Sequence, residues 1–217
     1  MKPTDFLSRI YQIYKKNGFL NLTYYIYRRN NWIFDIRRYI KDFDDINIDR
    51  PIFFLGTQGG GLTLVSRMIR RNKEVVSVTG NHNYWSGAGE MQNVLWPILP
   101  PELTGIIHKA PEDPRWDTPR GWLYAIDDLI DKYRNDKDDV TEEIKEKFKH
   151  IIRWIIYRYQ IDDKDMRFTD KSQLYTVKLS FLNEILKEHD PKFVLITRNP
   201  YAVCYRSAKG NAYDLKL

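Results

Sequence analysis

Four glycines fall within six residues, at Gly56, Gly59, Gly60 and Gly61, directly after the apolar run Ile52, Phe53, Phe54 and Leu55. A short unbroken apolar run suits a strand buried on both faces. After the glycines, Leu62, Leu64, Val65, Met68 and Ile69 recur at helical spacing. Strand, glycine loop and helix in this order aim backbone N–H groups and a helix N-terminus at a phosphate, and glycine lets the main chain approach its oxygens closely. Gly56 and Gly61 fit a phosphate-binding loop, and Thr63 falls at its hydroxyl position, but Leu62 stands where the phosphate-binding lysine belongs. A γ-phosphoryl transferase relies on that lysine to balance charge. The loop therefore reads as built for a phosphate but not for γ-phosphoryl transfer. The residues expected to hold the anion are Gln58, Gly59, Gly60, Gly61, Leu62 and Thr63.

A second anion site follows from residues 192–207. Phe193 to Ile196 make another apolar run, hence another central strand. Asn199 is a good N-cap and Pro200 a natural first helical residue. Arg198 is thereby placed at the carboxyl end of a strand, beside a helix N-terminus. If the strands are parallel, it shares a sheet edge with the glycine loop. Arg206 and Ser207 lie about two turns into that helix.

Candidates for moving a proton come from between these sites. Residues 75–78 read as a second strand that delivers a polar and aromatic loop over 79–90. Ligands in open parallel sheets bind at the carboxyl ends of strands, so His82 and Glu90 are placed where a general base is useful. His108 and Lys109 are further candidates, inside a segment with six prolines between 97 and 119. No cluster has metal-ligand spacing.

The elements that must position these residues are legible as periodicities. Trp122, Ile126, Leu129, Ile130 and Tyr133 make one helix. The next, capped by Asp139 with Glu142, carries Ile144, Phe148, Ile151, Ile152, Ile155 and Tyr159 on one face. Residues 167–172 read as a short strand with a polar end, and a helix bearing Tyr175, Leu179, Leu182 and Leu186 follows. The chain has 217 residues, is 42% hydrophobic and 14% aromatic, and can bury a sizeable core. Its one cysteine, Cys204, excludes an intrachain disulfide. Neither a transmembrane run nor a secretion signal is found, so the expected location is cytoplasmic, with peripheral membrane contact open.

The net charge of +6 is uneven. Residues 1–41 hold nine Lys/Arg against Asp5 and Asp35, a balance of +7, interleaved with tyrosines. Such an arm could rest on an anionic membrane, bind nucleic acid, or pack as a helical appendage with a solvated basic face. Residues 42–49 read as a linker.

Two anion sites of different build, in this order and with helices between, resemble the family of sulfotransferases dependent on 3′-phosphoadenosine 5′-phosphosulfate (PAPS). The resemblance covers residues 50–60 and 168–207. Thr169-Asp170-Lys171-Ser172 is similar to the Glu-Lys-Ser/Thr-Pro stretch that often precedes the family's second site, with Gln173 in place of proline. It implies an α/β fold, a parallel sheet flanked by helices, P-loop NTPase-like, over residues 50–217, with residues 1–49 as a basic helical extension. It implies that residues 58–63 hold the 5′-phosphosulfate, that Arg198 with Arg206 or Ser207 holds the 3′-phosphate, and that His82 or Glu90 is the base. The sulfuryl group would pass from PAPS to a hydroxyl acceptor, a carbohydrate or glycolipid, leaving adenosine 3′,5′-bisphosphate and needing no metal. Nucleic acid is not an expected partner.

The departures from the family pattern are specific. Gln58 and Gly59 stand at the loop's Pro and Lys/Arg positions, and Leu62 stands at its first Thr. Another cation, Arg67, Lys109 or Lys171, would have to serve. The family's 3′-phosphate serine lies eight residues after the arginine, where this chain has Arg206. Family members also continue through further helices, so a C-terminally truncated form is expected. A P-loop-type small-molecule kinase and a non-catalytic nucleotide- or anion-binding module remain open alternatives.

Overall fold

The structure is a computed structural model. It describes residues 35–79, 89–95, 99–108, 127–160 and 166–209, and a few positions between 11 and 23. The chain divides into two compact units, Met1–Lys41 with Glu112–Pro119, and Asp42–Pro111 with Arg120–Leu217.

In the first unit the described positions from 11 to 23 are helical, and Arg37–Ile40 forms one more helical turn. Asp35 is buried and accepts hydrogen bonds from Nε and Nη2 of Arg37, both at 2.7 Å. Tyr11, Phe19, Leu20, Ile36, Tyr39 and Ile40 are exposed.

The second unit is α/β. Four parallel strands, β1 (Ile52–Leu55), β2 (Val75–Val76), β3 (Arg167–Asp170) and β4 (Lys192–Leu195), lie in the order β2-β3-β1-β4. Phe53 pairs with Asp170 on one side and with Phe193 on the other. Its ring meets Phe168 and Tyr175 edge-on, at 6.1 and 5.8 Å, and stacks on Phe193 at 5.9 Å. The apolar run at 52–55 thus becomes the strand on which both neighbours are registered.

Helices flank the sheet. α1 (Leu62–Ile69) follows β1, the short α2 (Met91–Val94) precedes a proline-rich stretch, and α3 (Asp127–Tyr133) and α4 (Glu142–Tyr159) come next. α5 (Leu179–Leu186) follows β3, and α6 (Pro200–Lys209) follows β4. The period read for α4 holds: Phe148, Ile151, Ile152 and Ile155 are buried. Each such side chain contributes about 1.5–3 kcal/mol when removed from water.

Several expectations are corrected. The cap of α4 is Thr141, whose Oγ1 accepts from the Ile144 N–H at 3.2 Å. Asp139 instead closes a capping box with Asp136 around a single 3-10 turn, Lys137–Asp139. Tyr175 belongs to a 3-10 segment, Gln173–Val177, and the buried face of α5 is Phe181, Leu182, Ile185 and Leu186, with Leu179 exposed. Residues 42–49, read as a linker, bury Phe43 and Ile48; the Phe43 ring lies 5.2 Å from both His150 and Tyr157 of α4. β4, read as a central strand, is at the sheet edge among the described residues, and Leu195 is 65% exposed. α1 buries Leu62 and Ser66, whereas Leu64 and Met68 are 66% and 60% exposed. A strong apolar periodicity tells that a helix has a face, but the docking of its first turn onto the strand decides which face is covered.

Candidate functional site

The site is assembled at the carboxyl ends of β1, β3 and β4, where parallel order gathers three loops on one edge. The glycine loop leaves β1 at Gly56. A Cβ there would lie 2.5 Å from the Ile196 carbonyl oxygen at the exit of β4, so only glycine lets the two strand ends pass this closely. Thr176 fixes the same residue: its Oγ1 accepts from the Gly56 N–H at 2.9 Å and donates to the Gly56 carbonyl at 3.2 Å.

The loop closes a turn through the Gly60 N–H and the Thr57 carbonyl, 3.1 Å apart. Gly61 then enters α1 with φ +110°, a conformation that side chains rarely adopt, and no side chain caps the helix. The amides of Leu62 and Thr63, in the first turn, have no acceptor within the helix. Leu62, 3% exposed, turns its side chain inward beneath Gly56 and offers only its N–H. The lysine position of an ordinary phosphate loop is therefore a core position here. Thr63 is exposed at the helix start.

The helix after β4 starts differently. Asn199 Oδ1 accepts from the N–H groups of Tyr201 at 2.9 Å and Ala202 at 3.4 Å. The cap read from Asn199-Pro200 is thus present, and it occupies amides that a free helix N-terminus would offer an anion. Arg198, immediately before it, is exposed and donates from Nη1 to the Gly59 carbonyl at 3.1 Å. The two stretches singled out in the sequence, 139 residues apart, are in direct contact. Arg206 and Ser207 fall within α6, but their side chains lie outside the described residues.

A third group sits under the ends of β2 and β3. Lys171 is 1% exposed and forms an ion pair with Glu90, itself 6% exposed. Glu90 Oε1 takes Lys171, and Oε2 accepts from Gln92 and Asn93. Asp170 accepts from the N–H groups of Met91 at 2.8 Å and Ser172 at 2.6 Å, and burial pushes its carboxyl up to about 6 against those bonds. Arg70, at the end of α1, donates to Ser77 Oγ at 3.1 Å and Thr79 Oγ1 at 3.4 Å.

The expected site residues therefore divide. Residues 58–63 and Arg198 are brought together. Glu90 and Lys171 are brought to each other, with both carboxylate oxygens of Glu90 engaged. Arg67 is exposed in the last turn of α1. His82 and Lys109 lie outside the described residues. Sequence reasoning missed Thr176, whose only signal was its place shortly after the Asp170-Lys171-Ser172 stretch.

No family model, curated protein or solved structure matches the chain. Among the described residues no helix is long and apolar enough to cross a membrane.

Proposed function

We propose that this chain is a sulfotransferase of P-loop-like fold that takes its sulfuryl group from PAPS and passes it to a hydroxyl of a carbohydrate or glycolipid. The observation that carries the reading is the 3.1 Å contact between Arg198 and Gly59, which sets a guanidinium beside an uncapped helix start at the ends of adjacent parallel strands. An anionic nucleotide suits that pairing of main-chain donors with a cation. The loop carries no lysine, which favours binding over γ-phosphoryl transfer.

In this reading the amides of residues 58–62 other than that of Gly60, which is spent on the Thr57 carbonyl, and Thr63 Oγ1 hold the 5′-phosphosulfate, and the α6 side follows the rest of the donor. The donor supplies sulfur already activated: the acceptor oxygen–sulfur bond forms as the bond to the bridging phosphate oxygen breaks, leaving adenosine 3′,5′-bisphosphate. Preorganised amides stabilise oxygens that gain charge. His82 takes the acceptor's proton, because the carboxylate of Glu90 is already committed to Lys171.

The basic arm is assigned to an anionic membrane surface. Its balance of +7 and its exposed Leu20 and Ile40 support peripheral contact, since aliphatic side chains suit lipid better than nucleic acid.

Thermal unfolding with adenosine 3′,5′-bisphosphate against ATP–Mg²⁺ tests the function. A ligand that binds only the folded state at ~100 times its Kd stabilises by about 2.7 kcal/mol. The bisphosphate should raise the Tm and ATP–Mg²⁺ should not; the reverse result would identify a kinase. Stabilisation without sulfuryl transfer to any sugar hydroxyl would leave a binding module.

A further inference from the structure

The glycine loop lacks its own cation. No Lys or Arg occurs from Gly56 to Ser66, and the residue at 59, where the resembled loop is basic, is glycine. An anion bound by main-chain amides alone meets only partial positive charges, and no full charge on the loop itself balances it.

Among the described residues the alternatives are out of place. Lys171 is buried and held by Glu90. Arg67 stands on the exposed last turn of α1. Arg198 is the cation whose guanidinium is on the loop, at the carbonyl of residue 59 itself. It is held there from two directions. β4 is paired with β1 through Leu55 and Leu195, and the Ile196 N–H donates to the Leu55 carbonyl at 2.9 Å. On the following helix, Val203 Cγ1 lies 3.3 Å from where a Cβ of residue 59 would be, so α6 rests against Gly59 and leaves no room for a larger residue without movement. One guanidinium N–H is spent on the Gly59 carbonyl, and an arginine has four more. The amides at the start of α6, which would share a phosphate at the second site, are taken by Asn199.

We infer that Arg198 is the loop's missing cation, supplied in space from β4 rather than in sequence at position 59, and that it meets the 5′-side anion bound by residues 58–62 rather than the 3′-phosphate. The inference rests on the reading that the loop binds the anionic end of an adenosine nucleotide.

The test is calorimetric titration of the full chain and three variants with adenosine 5′-monophosphate, adenosine 3′-monophosphate and adenosine 3′,5′-bisphosphate. Arg198→Ala removes the guanidinium, Arg198→Lys keeps the charge, and Arg198→Gln keeps a donor for the Gly59 carbonyl without the charge. The side chain is exposed, so all three should fold, with far-UV dichroism as the check. Affinity for the 5′-monophosphate and the bisphosphate should fall by the same factor in Ala and Gln, about 10- to 100-fold, the loss of one charged hydrogen bond, and largely survive in Lys. Affinity for the 3′-monophosphate should not change. A loss confined to ligands with a 3′-phosphate overturns the assignment and returns Arg198 to the far end of the donor. Full affinity in Gln overturns it too, by reducing Arg198 to a loop tether. A wild-type chain that binds none of the three nucleotides removes the functional reading itself, and this assignment with it.

Discussion

Thr176 exchanges two hydrogen bonds with Gly56 across 120 residues of chain, accepting from its N–H at 2.9 Å and donating to its carbonyl at 3.2 Å. One side-chain hydroxyl thus satisfies both main-chain groups of the residue where β1 ends and the anion loop begins. The segment after β3 thereby acts as the support of a loop that belongs to β1.

Thr176→Val keeps the shape and removes both bonds. Two main-chain hydrogen bonds are lost at a part-buried residue, so stability should fall by about 1–3 kcal/mol. Denaturant unfolding checks the size. Affinity for adenosine 5′-monophosphate should fall as well, because the loop root is no longer fixed; an unchanged affinity with lowered stability would make Thr176 a packing residue only.

Glu90→Gln should destabilise more than a surface change. It leaves the ammonium of Lys171 buried without a charge partner, and breaking such a pair costs about 3–5 kcal/mol. Replacing both, as Glu90→Gln with Lys171→Met, should recover most of that loss. If the single variant instead keeps full stability and loses only sulfuryl transfer, Glu90 is the base after all.

Asp170 gives a pH signature. Burial raises its folded pKa from 3.8 to about 6, so the folded state holds the proton more tightly than the unfolded chain. Its contribution is fully present below 3.8 and is lost as pH rises through 6, on the order of 2–3 kcal/mol. Stability of the wild type relative to Asp170→Asn should therefore decline between pH 4 and pH 6.5. A difference that stays flat across that window would show a carboxylate ionised throughout.

Lys178 has the opposite sign. Its amine is buried against Asn135 Oδ1, and desolvation brings its pKa from 10.5 down to about 8. The stabilising contribution is present above 10.5 and lost as pH falls through 8, so at pH 7 the charge is a burden. Lys178→Met should raise stability at pH 7 by about 2–3 kcal/mol and abolish the rise between pH 8 and pH 10.5. Chemical unfolding at pH 7 and pH 10 decides it.

The arm predicts salt-sensitive adsorption. The full chain should sediment with phosphatidylserine vesicles at low ionic strength, and a chain lacking residues 1–41 should not. Charged attraction to such a surface falls off within a Debye length of about 10 Å at 0.1 M salt. Equal binding to RNA and to vesicles would reassign the arm to polyanions in general.

What the sequence determined by itself is local. The strands β1 and β4, the α4 stripe, the glycine loop and the Asn199-Pro200 start of α6 were all legible, because each is caused by residues within a few positions of one another. The contacts that make a site were not. That β3 lies between β2 and β1, that Lys171 meets Glu90, that Thr176 holds Gly56 and that Arg198 lies on Gly59 all depend on which strands become neighbours. The same holds for Leu62, in sequence only an apolar residue at the lysine position of a phosphate loop, whose side chain turns inward beneath Gly56 and becomes core. Local spacing carries no term for strand order; the contacts of the Phe53 ring with Phe168, Tyr175 and Phe193 supply it, and only the folded chain brings those rings together.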